Sequence, residues 1–361
     1  MEKVDNDFPV CLVKLEGSPS EDREASIRSN KFVSRVITKA HQNIKRPTCY
    51  LCGNNCSSFC NSHSIPQFIL RRIASQGKVV SCLDRELNPS ANLPGVKKAG
   101  TFQLICDNCD NTRFQQYESP ESYYSHPTDL MLAQIALKNY LHLISKRLLE
   151  NEAFALLSQR RPWKQQLCEE KIKWGKKDLL NFQKRFEYAT QSLSLPNRYH
   201  LCYYKTLDYV VPIAAQDAIT LFCDFSGQVI NNVYAPPKNN HFEPVHIAVL
   251  PLKQSSVILM FVEHGEMRNR RFFCQLQKLP EESQLAAINY ILFSYSENVF
   301  AYGPIADIVQ NDPCFREAYT RTLDYTALPN ANKPMSTVLQ EYSLDKSNRI
   351  PNLLCRQYAI N

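Results

Sequence analysis

Two long stretches in the middle of the chain carry the clearest pattern of hydrophobic and polar positions. Over residues 128–158 the apolar side chains recur every three or four positions: Leu130, Ala133, Leu137, Leu141, Ile144 and Leu148. Thr128 or Asp129 can cap the start of this helix, and Pro162 ends it. A second, more charged stretch over about 163–192 follows directly. The pattern therefore predicts a helical hairpin.

A third amphipathic helix is predicted near the N-terminus, over residues 25–42. Its apolar residues at helical spacing are Ile27, Phe32, Val33, Val36 and Ile37, and Pro47 follows soon after its end. The segment 9–15, Pro-Val-Cys-Leu-Val-Lys-Leu, precedes it and is typical of a short strand.

From about residue 199 the pattern changes to short runs typical of strands. Strands are predicted at 199–207 and 210–215, with one hairpin around Ser226-Gly227 and another over 246–265. A helix over 281–296 follows Pro280 and begins with two acidic residues. This half of the chain is predicted to be an antiparallel α+β domain.

The cysteine- and asparagine-rich segment between the first helix and the hairpin has one short helix after Pro66 and one strand over 101–106. Together the patterns predict an α+β protein with five divisions. These are 1–46, an N-terminal strand and basic helix; 47–125, a small metal-bound module; 126–195, the helical hairpin; 196–330, the α+β domain; and 331–361, a docked C-terminal tail.

Composition narrows the class of protein. The chain has 361 residues, of which 44% are hydrophobic and 21% charged, which is ordinary for a globular protein. No run of about 18 apolar residues is present, so no membrane-spanning helix and no membrane partner are predicted. The first residues carry acids where a secretion signal carries bases, and we therefore expect a cytoplasmic location.

Positive charge is concentrated in one part of the chain. The net charge is +7, yet the window 25–83 has no acidic residue. Its nine basic residues are Arg28, Lys31, Arg35, Lys39, Lys45, Arg46, Arg71, Arg72 and Lys78, which leaves 7 − 9 = −2 for the remainder. Such an excess favours binding of a polyanion such as nucleic acid, although a solvated basic helix face gives the same pattern.

Six of the fourteen cysteines are clustered, and four of these form two pairs with metal-ligand spacing. Cys49 and Cys52 form one C-x-x-C pair, and Cys106 and Cys109 form the other. Two such pairs predict a closed four-cysteine zinc site, with Zn²⁺ in a structural role. An alternative is a Cys₃His site in which Cys60 and His63 join the first pair. A redox pair is a third interpretation, but the flanking β-α-β pattern of such proteins is missing.

The order of these motifs resembles the zinc-stapled form of the HNH, or ββα-metal, endonuclease family. The first C-x-x-C pair is followed by Ser-His-Ser-Ile-Pro at 62–66, and a strand then leads into the second pair. The resemblance covers about residues 46–118 and implies that His63 is the general base for an attacking water. It implies that Asp110 and Asn111 hold a catalytic Mg²⁺ or Mn²⁺ ion, and that Cys49, Cys52, Cys106 and Cys109 hold the structural zinc.

The resemblance implies a metal-dependent endonuclease, with DNA favoured over RNA as the substrate, that serves as a bacterial defence or toxin effector. Arg71, Arg72 and Lys78 are the predicted phosphate contacts. The C-terminal domain is expected to bind a protein partner, form a homo-oligomer or restrain the nuclease module.

Two positions depart from the family pattern. Ser62 and Thr101 stand where a metal-binding residue and an asparagine are usual, and a hydroxyl is a weak ligand for Mg²⁺. The alternative function is therefore a non-catalytic binder of nucleic acid or protein that keeps the zinc scaffold.

Overall fold

The computed structural model describes residues 23–82, 93–233, 242–326 and 334–360. Its helices are α1 (Arg23–Asn43), α2 (Gln67–Leu70), α3 (Asp107–Arg113), α4 (Asp129–Arg160), α5 (Gln165–Ser192), α6 (Arg270–Leu276), α7 (Glu281–Tyr295), α8 (Gly303–Asn311), α9 (Pro313–Thr326) and α10 (Met335–Glu341). The strand predicted at 9–15 lies outside the described residues.

The strands form two antiparallel sheets within these ranges. They are β1 (Ser62–His63), β2 (Val80–Ser81), β3 (Thr101–Phe102), β4 (Tyr199–Leu207), β5 (Ile213–Ile219), β6 (Val245–Pro251), β7 (Ser256–Glu263) and β8 (Val299–Ala301). β1 pairs with β3, and the larger sheet has the order β2-β8-β5-β6-β7-β4. The predicted α+β class is confirmed.

The larger sheet is buried on both faces, and for this reason its central strands are apolar at nearly every position rather than at alternate ones. Ile247 and Val249 of β6 pack toward α7 and the C-terminal helices. Ala248 and Leu250 of the same strand pack toward α4 and the cysteine-rich segment. The sheet is therefore the middle layer of three.

The helical hairpin forms as predicted. The hydroxyl of Thr128 accepts a hydrogen bond from the backbone N–H of Met131 and so caps α4. One face of α4 covers the sheet, while α1 packs on its C-terminal half through Val36 and Ile37. Over the described ranges, no helix combines the length and apolarity that a bilayer-spanning helix requires.

The cysteine-rich segment is built into the larger sheet. Its strand β2 pairs with β8, so that Val80 lies opposite Ala301. Its apolar side chains, among them Ile65 and Phe102, share one core with α4 and with β6.

Two regions predicted to be strands are shorter in the structure than expected, because their backbone groups form hydrogen bonds outside a strand ladder. The hairpin at Ser226-Gly227 keeps its turn but only one isolated bridge, because the carboxylate of Asp224 accepts from the backbone N–H groups of Ser226 and Gln228. The strand over 101–106 ends at Phe102. Beyond it, the carbonyl of Leu104 accepts from the backbone N–H of Tyr50, and that of Ile105 accepts from the backbone N–H of Cys60. Backbone groups bound in this way do not extend a ladder.

Candidate metal centre and histidine site

The two cysteine pairs meet at one point. The sulfur atoms of Cys49, Cys52, Cys106 and Cys109 all lie within 4.8 Å of one another. The Sγ atoms of Cys52 and Cys106 are 4.0 Å apart. Such a group of thiolates can hold a single tetrahedral metal ion, which is the donor set and spacing of a structural site.

Local backbone geometry prepares the first pair for metal binding. Gly53 has a positive φ of 73°, and its N–H donates to the carbonyl of Cys49, which closes the knuckle. Burial opposes ionisation of Cys49, but the backbone N–H groups of Cys52, Cys106 and Leu51 outweigh it and lower the pKa of this thiol to about 7. Cys49 is therefore readily ionised near neutral pH, whereas burial and the three neighbouring thiols raise the pKa of Cys109.

Beside this cluster, β1, β3 and α3 form a small ββα unit. His63 of β1 lies opposite Thr101 of β3. Gly100, with a φ of 59°, allows the two strands to approach, since a Cβ there would lie 2.6 Å from Oγ of Ser64. The second cysteine pair stands at the start of α3, and this helix therefore extends directly from the metal centre.

His63 is held in one tautomer. Its Nε2 lies 3.0 Å from the carbonyl oxygen of Val96. A carbonyl only accepts, so Nε2 carries the proton and Nδ1 keeps its lone pair. Among the described residues no group hydrogen-bonds to Nδ1. Burial, together with the positive charges of Lys138 and Arg71, lowers the pKa of His63 below its ordinary value. The ring is therefore a neutral base at pH 7.

Asp110 lies next to this histidine strand. Its Oδ1 accepts from the hydroxyl of Ser62 at 2.5 Å and from Nζ of Lys138 at 2.9 Å, and its Oδ2 lies 3.2 Å from Sγ of Cys60. Burial opposes ionisation, but Lys138 and the hydroxyl of Ser62 outweigh it and keep the pKa of Asp110 below its ordinary value. Asp110, which was predicted to hold the catalytic ion together with Asn111, is thus bound to Ser62 of the histidine strand.

Lys138 is a site residue that the sequence analysis missed. Its side chain is 0% exposed, and its ammonium lies 2.9 Å from Asp110 and 3.0 Å from Glu118. It also lies 3.8 Å from the centre of the Phe114 ring. On the sequence Lys138 is one lysine within an apolar helix, and no local pattern distinguishes it from a solvated residue.

The remaining predicted residues lie on the surface of the same unit. Asn111 is exposed on α3. Arg71 and Arg72 are exposed after α2, and Lys78 forms a backbone bridge with Gly95, one residue before the carbonyl that holds His63. Two further exposed lysines that were not singled out, Lys97 and Lys98, follow that carbonyl directly.

The chain was compared with known proteins. No protein-family model, no curated protein and no solved structure matches it. What can be said of its function therefore rests on the contacts within the chain.

The other two clustered cysteines are not part of the four-sulfur group. Cys60 contacts Asp110 instead, and His63 faces Val96. The alternative Cys₃His site is therefore not the arrangement that the structure forms. Burial and the nearby thiols raise the pKa of Cys56.

The histidine strand is also tied to the larger sheet. Oγ of Ser64 donates to Oδ1 of Asn298 at 2.9 Å, just before β8. The hydroxyl of Tyr117 donates to Oε1 of Gln216 on β5 at 2.6 Å. All four side chains are buried. The position of His63 thus depends on residues more than 150 positions away.

Proposed function

We propose that this chain is an endonuclease that hydrolyses nucleic-acid phosphodiesters with His63 as the general base. One observation supports it most strongly. The carbonyl of Val96 holds the proton of His63 on Nε2, which leaves Nδ1 free to accept a proton from an attacking water.

Two further features support this proposal. The four-cysteine group would hold Zn²⁺ as a structural ion, since thiolate donors at this spacing suit zinc. Arg71, Arg72, Lys78 and Lys97 are exposed and belong to the same cysteine-rich segment as His63, and among the described residues none of them forms an ion pair. Cations that remain unpaired can neutralise phosphates. The many free thiols agree with a reducing compartment such as the cytoplasm.

The described residues do not assemble an evident Mg²⁺ or Mn²⁺ site. Asp110 has about four acceptor positions, and three of them already serve Lys138, Ser62 and Cys60. A divalent ion at this carboxylate would share it with the ammonium or displace it, and Asn111 lies on the exposed face. Whether cleavage requires added Mg²⁺ or Mn²⁺ is therefore to be measured.

The test is cleavage of supercoiled plasmid DNA and of single-stranded RNA by the full chain. Each substrate is incubated with added Mg²⁺, with added Mn²⁺ and with neither ion. We expect nicking that His63→Ala abolishes while zinc content and melting temperature stay unchanged. His200→Ala is the matched control, because His200 is an exposed histidine on β4. Undiminished cleavage by His63→Ala would remove this residue from the mechanism.

The second candidate is a non-catalytic nucleic-acid binder. The contact that favours it is the ion pair between Lys138 and Asp110, which occupies the carboxylate with a fixed cation. Under this alternative the wild-type chain binds DNA or RNA with an affinity that falls steeply with salt, and cleaves neither. The same preparations distinguish the two candidates.

A further inference from the structure

A cavity of about 550 Å³ lies between the helical hairpin and the larger sheet. Its walls come from α4, α5 and the ends of β5 and β7, and none of the described residues of the cysteine-rich segment lines it. This volume is in the range of cavities that hold small organic ligands.

The lining combines aromatic rings with charge. Trp174, Phe182 and Tyr188 of α5 line the cavity, and so does Tyr140 of α4. Aromatic side chains around a cavity favour a flat ring as the ligand, because offset and edge contacts between rings are attractive.

The charged groups of the lining favour an anion. Among the described lining residues six are basic and five acidic. Four of the acids are already paired: Glu297 with Lys146, Asp178 with Arg147, and Glu263 and Glu266 with Arg185. Nearby carboxylates keep Lys146 and Arg185 protonated despite their burial. The lining therefore has one more basic than acidic side chain.

Two acceptor atoms in the lining lack a donor. Oδ1 of Asn151 and Oε2 of Glu266 are buried without a hydrogen-bond partner, and the side chain of Glu266 is only 10% exposed. A buried acceptor without a donor is costly, and a bound molecule with N–H groups would remove that cost.

From these observations we infer that the cavity binds a nucleotide. The base would lie among the rings of α5 and donate its N–H groups to Asn151 or Glu266. The phosphate would be neutralised by the basic residues at the cavity, among them Lys177. This inference does not depend on the nuclease proposal, since neither His63 nor the residues that contact it line the cavity.

The chain offers a direct reporter for the test. It has two tryptophans, and Trp163 is 73% exposed whereas Trp174 lines the cavity. In Trp163→Phe the emission of Trp174 alone is observed. The probes are the four 5′-ribonucleoside monophosphates, with adenosine and inorganic phosphate as the two partial ligands, and calorimetry gives the stoichiometry.

We expect at least one monophosphate to quench Trp174 with one site per chain, and adenosine and phosphate to bind much more weakly. Lys177→Gln should weaken binding about tenfold, the size expected for one charge-assisted contact. Lys173→Gln is the matched control, because Lys173 is an exposed lysine on the same helix that does not line the cavity. Lys184→Gln, at an exposed position of the lining, is the second variant if Lys177→Gln does not fold.

Three results would overturn the inference. They are no quenching and no heat with any monophosphate at millimolar concentration, phosphate that binds as tightly as the best nucleotide, and equal binding by the Lys177→Gln and Lys173→Gln variants. The second result would leave only an anion site, and the third would place the nucleotide elsewhere.

Discussion

At the scale of single residues, the ion pair of Lys138 with Asp110 governs the histidine site. A fully buried ammonium needs compensation by opposite charge, and here two carboxylates provide it. The same ammonium contributes to the lowered pKa of His63. One lysine therefore fixes the position of Asp110 and adds to the effect of burial, which lowers the pKa of the neighbouring histidine.

Lys138→Met should destabilise the fold strongly. Removal of the ammonium leaves Asp110 buried without its cation, which costs about 3 to 5 kcal/mol in comparable buried pairs. Urea unfolding measures the loss. Adding Asp110→Asn should recover part of it, and Arg160→Met, at an exposed position of the same helix, should change little. Equal stability of Lys138→Met and wild type would show that the pair is not structural.

The pH profile of cleavage should have an acid limb below the ordinary histidine range. The active form of His63 is neutral, and its pKa lies below 6.5 in the folded chain, so activity persists through pH 6.5 and falls only as the pH drops through the lowered value. Initial rates from pH 4.5 to 8 in buffers of constant ionic strength measure this limb. A limb centred above pH 7 would contradict the assignment.

At the scale of elements, α4 connects the sheet to the histidine site. Its Asn139 and Tyr140 contact the buried ring of His246 on β6, at 3.1 Å and 3.3 Å. The ring of Phe261 stacks on the same imidazole, with the ring centres 4.6 Å apart. Lys138, which holds Asp110, directly precedes these two residues. Consecutive residues of α4 therefore make buried polar contacts with Asp110 at the histidine site and with His246 of the sheet.

His246 predicts a loss of stability in acid. Burial lowers the pKa of this histidine to about 3, whereas in the unfolded chain it is about 6.5. Between these values only the unfolded chain takes up the proton. This one group therefore lowers the free energy of unfolding by about 1.4 kcal/mol for each unit by which the pH is lowered. Urea unfolding from pH 4 to 7 measures the slope.

His246→Gln should show a shallower slope than wild type, even if it is less stable at pH 7. His200→Ala is the control, because an exposed histidine leaves the slope nearly unchanged. A variant slope equal to that of wild type would assign the acid sensitivity to other groups.

The elements divide clearly into those that the sequence predicts and those that it does not. The helical hairpin and strands β6 and β7 were predicted, because each has a long periodic or apolar run bounded by turn residues. The four-cysteine group was predicted because its spacing is local within each pair. By contrast, Val80–Ser81 has no strand pattern of its own, and its pairing with β8 depends on residues over 200 positions away. Lys138 was missed because its partners, Asp110 and Glu118, lie outside its own helix, 28 and 20 positions earlier.

At the scale of the whole molecule, the metal centre and the sheet are expected to melt as one unit. The cysteine-rich segment shares its core with α4 and β6 and adds β2 to the sheet. Loss of its metal should therefore lower the stability of the full chain, since metal binding contributes folding free energy.

The measurement is calorimetric melting before and after zinc is removed by a chelator. We expect one transition at a lower temperature, with one Zn²⁺ released per chain, and the same shift in Cys106→Ser. Cys274→Ser is the matched control, because Cys274 is an exposed cysteine outside the group. A separate early transition with the main one unmoved would show that the segment unfolds independently.

The pairing of β2 with β8 also has a consequence in time. The histidine strand and α3 are synthesised before residue 114, but β8, which supports them, is complete only at Ala301. At about 5 to 20 residues per second the interval is roughly 10 to 40 s. During that interval the contact from Ser64 to Asn298 cannot exist. The contacts that hold the histidine site are therefore complete only late in synthesis on the ribosome. A chain that terminates before Asn298 never forms all of them.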